Sequence, residues 1–84
     1  MKIVERKNKK NTHEFKFDNG AWCSICTMGE ESSWECQMDE ADEETYSEGG
    51  LWFDGKELVD YDGCFELPDA VRIALKELGY SWDY

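Results

Sequence analysis

Apolar and polar side chains alternate every second residue in three short stretches of the chain, which is the period of a half-buried β-strand. The first two stretches flank Asn19-Gly20, where both residues tolerate the positive φ that a two-residue primed turn requires. Such a turn predicts a hairpin in which Phe17 pairs with Trp22. The same register pairs Phe15 with Ser24 and His13 with Cys26. It places all six residues on one face of the hairpin.

The third alternating stretch follows a turn around residues 29–32 and predicts a strand that extends the hairpin into a meander. Its inward side chains, which would join the same aromatic face, are Trp34, Cys36 and Met38. A second hairpin is predicted at Asp54-Gly55. Its register places on one face Leu51, Phe53 and Leu58, and on the other face Trp52, Val59 and Tyr61.

A helix is predicted over residues 68–79. Pro68 suits the first helical position, Asp69 favours the positive end of the helix macrodipole, and Gly79 is typical of the residue that follows a helix. Apolar residues recur here at helical spacing and predict a stripe that covers the sheet, formed by Leu67, Val71, Ala74, Leu75 and Leu78.

Together these elements predict an α+β fold, a small antiparallel sheet of four to five strands packed against one C-terminal helix. With 84 residues the chain has room for a single domain. We divide it into a basic N-terminal segment at 1–12, an acidic loop at 39–50 and the helix at 68–79. Whether residues 1–5 add an edge strand through Ile3 and Val4 stays open at this point.

Negative charge dominates the composition, with 20 Asp and Glu against 9 Lys and Arg and a net charge of −11. Residues 1–17 carry six positive and two negative side chains, whereas residues 18–84 carry three positive and 18 negative ones. A nucleic acid would be repelled by most of this surface, so direct nucleic-acid binding is not expected. The basic run at 7–11 is interpreted as a solvated turn, with an arm that contacts phosphate or an acidic partner as the alternative.

The basic N-terminus has no apolar run behind it, and no later stretch is long enough to span a bilayer. We therefore expect a soluble, cytoplasmic protein whose four Cys are reduced thiols rather than a disulfide framework. Cys23 and Cys26 have the spacing of a redox dithiol. Within a continuing strand, however, they would lie roughly 10 Å apart on opposite faces, so we do not expect them to bridge.

Core packing is the favoured interpretation of the cysteines, because free Cys is among the most buried residue types. The alternative is a small Cys/His metal site, since Cys and His are the ligands that zinc prefers. The candidate ligands, which the predicted registers bring to one region, are His13, Cys26, Cys36 and Cys64.

No pattern in the chain predicts catalysis. A second His for a nucleophilic dyad, a glycine-rich phosphate loop and a Gly-x-Ser-x-Gly elbow are all absent from the sequence. The acidic run also lacks the ligand spacing of a calcium-binding EF-hand loop. We therefore expect neither an enzyme nor a protein with a bound cofactor.

An acidic protein with these properties is expected to bind other proteins. The hypothesis is an inhibitor that occupies the basic, nucleic-acid-binding surface of a bacterial protein. In size and charge alone it is comparable to the small acidic anti-CRISPR, anti-restriction and uracil-DNA glycosylase inhibitor proteins of phages and mobile elements. An ordinary protein-binding adaptor domain is the alternative. The expected contact residues are Asp39, Glu40, Asp42, Glu43, Glu44, Glu48, Asp54, Glu57, Asp60 and Asp62, with Trp52 and Tyr61 as aromatic contacts.

Overall fold

The structure, a computed structural model, describes residues 1–82, and these form six strands and one α-helix. The elements in chain order are β1 (Ile3–Lys9), β2 (Thr12–Phe17), β3 (Trp22–Cys26), β4 (Ser33–Gln37), β5 (Tyr46–Asp54), β6 (Glu57–Tyr61) and α1 (Asp69–Glu77). The strands form one sheet in which every neighbour along the chain is also an antiparallel neighbour in space. The predicted α+β class with one C-terminal helix is confirmed, and the strand count is six rather than four to five.

The strand that exceeds the predicted four to five is β1, which forms one edge of the sheet. It pairs with β2 through a register that runs from Ile3 opposite Phe17 to Lys9 opposite Thr12. Ile3 is half-buried, and the remaining residues of the strand are exposed. The basic run at 7–11 is therefore the end of this strand and the turn after it. A high density of charged side chains is one way in which proteins protect a free sheet edge from pairing with another chain.

The hairpin between β2 and β3 forms where it was predicted, but its register is shifted by one residue. The loop spans three residues, 18–20, because the Phe17 N–H donates to the Ala21 carbonyl and Gly20 adopts a left-handed φ of 88°. Lys16 therefore lies opposite Trp22, and Phe15 lies opposite Cys23. The predicted pairs Phe17 with Trp22, Phe15 with Ser24 and His13 with Cys26 are wrong.

This shift reverses the face to which β3 directs its side chains, because neighbouring residues of a strand point to opposite sides. Phe15 and Phe17 share the buried face with Cys23 and Ile25. Trp22 and the two residues that follow it at a spacing of two, Ser24 and Cys26, lie on the other face and are half-exposed.

Strand β5 belongs to two pairings. Its first half, Tyr46 to Gly50, pairs with β4, and its second half, Leu51 to Asp54, pairs with β6. The acidic loop therefore ends at Thr45, and residues 46–50 are strand rather than the predicted loop.

The hairpin between β5 and β6 turns through residues 55–56 rather than through the predicted Asp54-Gly55, since Asp54 is still strand and lies opposite Glu57. Leu51, Phe53 and Leu58 lie on the inner side as predicted. Tyr61 was predicted on the outer side with Trp52, and this is wrong. A register irregularity beside Trp52 places Tyr61 directly opposite Leu51, so both point inward.

After β6 the chain crosses directly against β5, and two glycines make this crossing possible. A Cβ atom added to Gly49 would lie 1.8 Å from the Asp62 carbonyl oxygen, and one added to Gly63 would lie 2.0 Å from the Glu48 carbonyl oxygen. Asp62 fixes the crossing, because its N–H donates to the Gly50 carbonyl and its carboxylate accepts from the Gly50 N–H. The Asp62 carbonyl in turn accepts a hydrogen bond of 3.1 Å from the Trp34 indole.

Helix α1 covers the central strands β3 and β4 with its buried stripe, which consists of Ala70, Val71, Ala74 and Leu75. Pro68 has an extended ψ of 150° and stands just before the helix rather than at its first position. Gly79 follows the helix as predicted, but the helix ends at Glu77, with Leu78 as its C-cap, rather than at residue 79. The Tyr80 N–H donates to the Leu75 carbonyl and the Gly79 N–H donates to the Lys76 carbonyl, which is the Schellman arrangement. The core below the helix also contains Trp34, Cys36, Leu51 and Leu58.

Candidate protein-binding surface

One face of the sheet packs against helix α1, and the opposite face, called here the open face, is lined by polar and aromatic side chains. The pairing registers place on it one row of side chains from adjacent strands, formed by Glu14, Ser24, Glu35 and Glu48. These four side chains are half-exposed or exposed. Sequence analysis named Glu48 as a contact residue but did not identify the row, because the predicted register directed Ser24 of β3 into the core.

Glu35 and Glu48 are the closest carboxylates of this row. Backbone bonds from the Met38 N–H to the Thr45 carbonyl and from the Leu51 N–H to the Ser32 carbonyl define the alternation of the ladder between β4 and β5. This alternation makes Glu35 and Glu48 a non-hydrogen-bonded pair, in which the Cα atoms are only about 4.5 Å apart. Like charges directly opposite each other destabilise a sheet, so this pair costs folding free energy.

The Tyr46 hydroxyl lies between these two carboxylates. Its oxygen is 2.6 Å from a Glu35 carboxylate oxygen and 2.8 Å from a Glu48 carboxylate oxygen. The single hydroxyl proton is donated to one or the other acceptor, and the two hydrogen bonds, first that to Glu35, raise the pKa of Tyr46 above its usual value. The phenol thus reduces the repulsion within the pair without neutralising its charge.

Trp22 stands beside Tyr46 on the open face, with ring centroids 6.1 Å apart and ring planes inclined at 46°. Tyr46 is 40% exposed, and Trp22 is half-exposed. Two aromatic rings are therefore available next to the carboxylate row. Large aromatic side chains are the residues that most often concentrate binding energy at the centre of a protein interface.

The loop between β4 and β5 adds a second group of carboxylates at the lower end of the open face, and sequence analysis identified all of them. They are exposed, and they are Asp39, Glu40, Asp42, Glu43 and Glu44. The loop is well anchored. The Gln37 side-chain amide donates to three backbone carbonyls of the loop at 3.1 to 3.3 Å, and the Thr45 hydroxyl donates at 2.7 Å to the Asp42 carbonyl.

Asp42 also caps the 3₁₀ turn at Glu43–Thr45, because its carboxylate accepts a 3.0 Å hydrogen bond from the Glu44 N–H. The loop backbone and the Asp42 carboxylate are therefore held in place. We refer to them, together with the row on the open face, as the acidic surface, which consists of Glu14, Glu35, Asp39, Glu40, Asp42, Glu43, Glu44 and Glu48.

The remaining predicted contact residues lie on the ribbon formed by β5 and β6, apart from the loop. Asp54 and Glu57 face each other beside its turn, and Trp52, 41% exposed, lies opposite Asp60. Asp62 and Tyr61 make hydrogen bonds within the fold instead. The Asp62 carboxylate accepts from the Gly50 N–H, and the Tyr61 hydroxyl donates to the Phe65 carbonyl at 3.1 Å.

Basic side chains neutralise little of the acidic surface. Two ion pairs occur within residues 1–82, Arg6 with Glu77 at 3.0 Å and Lys16 with Glu5 at 3.6 Å, and neither involves an acidic-surface residue. The Arg6 hydrogen bond lowers the pKa of Glu77 and raises that of Arg6. Of the other seven Lys and Arg residues, Lys7 and Lys9 lie on β1, and Lys7 lies directly opposite Glu14, whereas β5 is about 19 Å, or four strand spacings, away from β1. This exceeds the Debye length of about 8 Å at physiological salt.

Three comparisons with known proteins give no match to this chain, whether with protein-family models, curated proteins or solved structures. Within residues 1–82, no helix has the length and apolar character needed to cross a bilayer.

The alternative metal ligands are not brought together. Cys26 lies opposite Thr12 on the open face, whereas Cys36 is on the buried face. His13 lies opposite Ile25, and its Nδ1 is 2.7 Å from the Asn8 side-chain oxygen. No group of three or more His, Cys, Asp or Glu side chains in the described part of the chain has the geometry to hold a metal ion. The alternative of a shared metal site depended on a register of β2 and β3 that the structure does not have.

Removal of the phenol hydroxyl tests its role between the carboxylates. We expect Tyr46→Phe to lower the free energy of unfolding by about 1 kcal/mol, less than a buried charged hydrogen bond because the site is partly exposed. The raised pKa means that this contribution is complete below about pH 10 and is lost at higher pH, where wild type and variant should converge.

Urea unfolding at neutral pH and above pH 10 measures both effects. Tyr80→Phe is the matched control, because the Tyr80 ring stacks on Phe53 and remains in place. Equal losses in the two variants would show that the hydrogen bonds of the Tyr46 hydroxyl contribute nothing to stability.

Proposed function

We propose that this protein binds a positively charged surface of another protein, one that normally receives nucleic acid, and thereby inhibits a bacterial nucleic-acid-binding protein. The observation that carries the proposal is the acidic surface, a set of eight carboxylates, none of which belongs to either ion pair within residues 1–82. A basic groove would supply the missing countercharge, and the association would be fast and sensitive to salt.

The arrangement of the carboxylates supports this choice of partner. Neighbouring strands are about 4.8 Å apart, so the carboxylates of the row recur at multiples of that distance. Phosphates along one nucleic-acid strand recur with a rise of about 3.4 Å, which is of the same order. A rigid sheet with a capped loop also presents its charges without the entropy cost of ordering them on binding.

Trp22 and Tyr46 would supply contact area at the centre of such a complex. A purely electrostatic contact is weak at physiological salt, whereas aromatic side chains that become buried in an interface contribute strongly to affinity. Their position directly beside Glu35 and Glu48 allows an arginine of the partner to bind a carboxylate while its guanidinium plane packs on a ring. The proposed mode is thus a charged surface around an aromatic centre.

Capture followed by competition tests the proposal. The protein is immobilised, exposed to a bacterial lysate and eluted with increasing salt, and each eluted protein is purified and assayed for binding to labelled DNA or RNA. We expect the partner to bind nucleic acid, to lose it on addition of this protein, and to lose affinity for this protein steeply between about 0.05 and 0.2 M salt. A partner that binds this protein and nucleic acid simultaneously would exclude the proposal.

An ordinary protein-binding adaptor is the second candidate, and a separate surface favours it. Trp52 and Val59 are 41% and 49% exposed on the outer side of the ribbon, and Phe65 is 97% exposed in the following segment. Apolar side chains of this size on the surface are typical of a protein contact with little salt dependence. In the capture experiment, elution that does not respond to salt, with loss of binding in Trp52→Ala, would favour this adaptor.

A further inference from the structure

Two buried cysteines face each other below the helix. Cys23 on β3 lies directly opposite Cys36 on β4, and their exposed fractions are 1% and 0%. The spacing of cysteines in the sequence pointed instead to Cys23 and Cys26, whose side chains lie on opposite faces of β3. The structure thus places together a pair of thiols that are distant in sequence.

The backbone ladder shows what kind of pair this is. The bond from the Met38 N–H to the Thr45 carbonyl makes Gln37 a non-hydrogen-bonded partner of Tyr46, so the Cys36 backbone groups point toward β5 and away from β3. Cys23 and Cys36 are therefore a non-hydrogen-bonded pair, with Cα atoms about 4.5 Å apart and their side chains close. Disulfide bonds occur at Cα distances of about 4.4 to 6.8 Å.

We infer that Cys23 and Cys36 are a covalent modification site, at which a cross-strand disulfide forms when the chain folds in the presence of a low-molecular-weight disulfide such as oxidised glutathione. Two S–H bonds are broken and one S–S bond is formed between the strands. The two electrons and two protons that the cysteines lose reduce one oxidised glutathione to two glutathione thiols.

Both thiols have other contacts in the reduced protein. The Cys23 thiol donates to the Ala70 carbonyl at 3.5 Å, and the Cys36 sulfur is 3.6 Å from the Ser47 hydroxyl oxygen. A change of side-chain rotamer is needed to bring the sulfurs together. Burial also raises the pKa of Cys23 to about 12, so the folded protein holds little thiolate. The bond therefore forms during folding, before the helix covers the strands.

Cys26 and Cys64 can be replaced in the test without disturbing the core, since neither is fully buried. Cys26 is half-exposed on the open face, and Cys64 is half-exposed in the segment that follows β6. The double variant Cys26→Ser/Cys64→Ser retains only the inferred pair. The full-length variant and the wild type are unfolded, reduced, refolded in a glutathione redox buffer and treated with an alkylating agent, and their masses and proteolytic peptides are then analysed.

Before alkylation, we expect both proteins to be two hydrogen atoms lighter than their reduced forms, and we expect each to yield one linked peptide pair that contains Cys23 and Cys36. In the wild type, Cys26 and Cys64 should remain available for alkylation. A matched control, Cys23→Ala/Cys36→Ala, should form no intramolecular bond under the same conditions. The inference is overturned if the refolded double variant retains two free thiols, or if the wild type links either buried cysteine to Cys26 or Cys64.

Discussion

Gly49→Ala is expected to lower the free energy of unfolding by about 3 kcal/mol or more, because the new methyl group would lie 1.8 Å from the Asp62 carbonyl oxygen. Backbone atoms form both sides of this contact, so no rotamer change can relieve it. The chain after β6 would have to move away from β5, and the hydrogen bonds of Asp62 to Gly50 and of Trp34 to Asp62 would be lost.

Such a loss is large for this protein. A domain of 84 residues is expected to have a total stability of roughly 4 to 12 kcal/mol. A loss of about 3 kcal/mol lowers the melting temperature of so small a domain by about 12 to 24 °C. Thermal unfolding followed by circular dichroism and tryptophan fluorescence measures the effect, and the second probe includes Trp34, which contacts the crossing directly.

Gly20→Ala separates this steric effect from backbone strain. Gly20 has a φ of 88° but no atom within 4 Å of an added Cβ, so its substitution strains the backbone without a clash. We expect a loss of about 1 kcal/mol there. If Gly49→Ala melts as close to wild type as Gly20→Ala does, the described crossing is incorrect.

Substitution of three loop carboxylates is expected to have the largest effect on function. Asp42→Ser/Glu43→Ser/Glu44→Ser should weaken binding to the captured partner by about 10- to 100-fold, if each charge contributes about 0.5 to 1 kcal/mol to the contact. Serine at position 42 can still accept the Glu44 N–H, so the 3₁₀ turn is retained. Titration calorimetry or surface plasmon resonance at several salt concentrations measures the affinity and its salt dependence.

A charge-matched control shows whether position matters. Glu30→Ser/Glu31→Ser/Glu66→Ser removes the same number of exposed carboxylates, none of which belongs to the acidic surface. We expect this variant to lose affinity only a few-fold, through the change in net charge, and the difference from the loop variant to shrink as salt is raised. Equal losses in the two variants would indicate that only net charge acts and would contradict a defined acidic surface.

Most individual elements of the fold could be predicted from local sequence, because their causes are local. The helix end just before Gly79, the turn at Asn19-Gly20 and the alternation in β4 depend on residues within a few positions of each other. Strand β1 was left open, because its charged residues have little β-propensity and the strand is formed by pairing with β2 alone.

The candidate site was predicted only in part, and the reason is the register of one hairpin. The loop between β2 and β3 has three residues instead of two, a choice determined by the bond between Phe17 and Ala21 and by the Asn19 side chain, which accepts from the Ala21 N–H. A shift of one residue moved Trp22 from the predicted core to the open face. The acidic loop was identified because charge density is visible without any register.

The structural roles of Asp62 and Tyr61 could not be anticipated for another reason. Both depend on the crossing of the chain after β6 over β5, a contact between segments whose sequences carry no complementary pattern. Asp62 looked like any other surface carboxylate, yet it completes the backbone hydrogen bonds of Gly50. In a chain with 20 acidic residues, composition cannot distinguish a carboxylate that holds the fold from one that is free to bind.

Lys7 and Lys9 of the edge strand β1 lie toward one end of the sheet, whereas the acidic loop lies at the other end, where the Glu40 N–H donates to the Gly20 carbonyl, so positive and negative charge are separated along the molecule. In the field of a cationic receptor such a molecule rotates during its approach, so that the loop leads and β1 trails. Many encounters would thereby begin in a productive orientation. Neutralisation of Lys7 and Lys9 would weaken this orienting effect while leaving the contacts that set the lifetime of the complex unchanged.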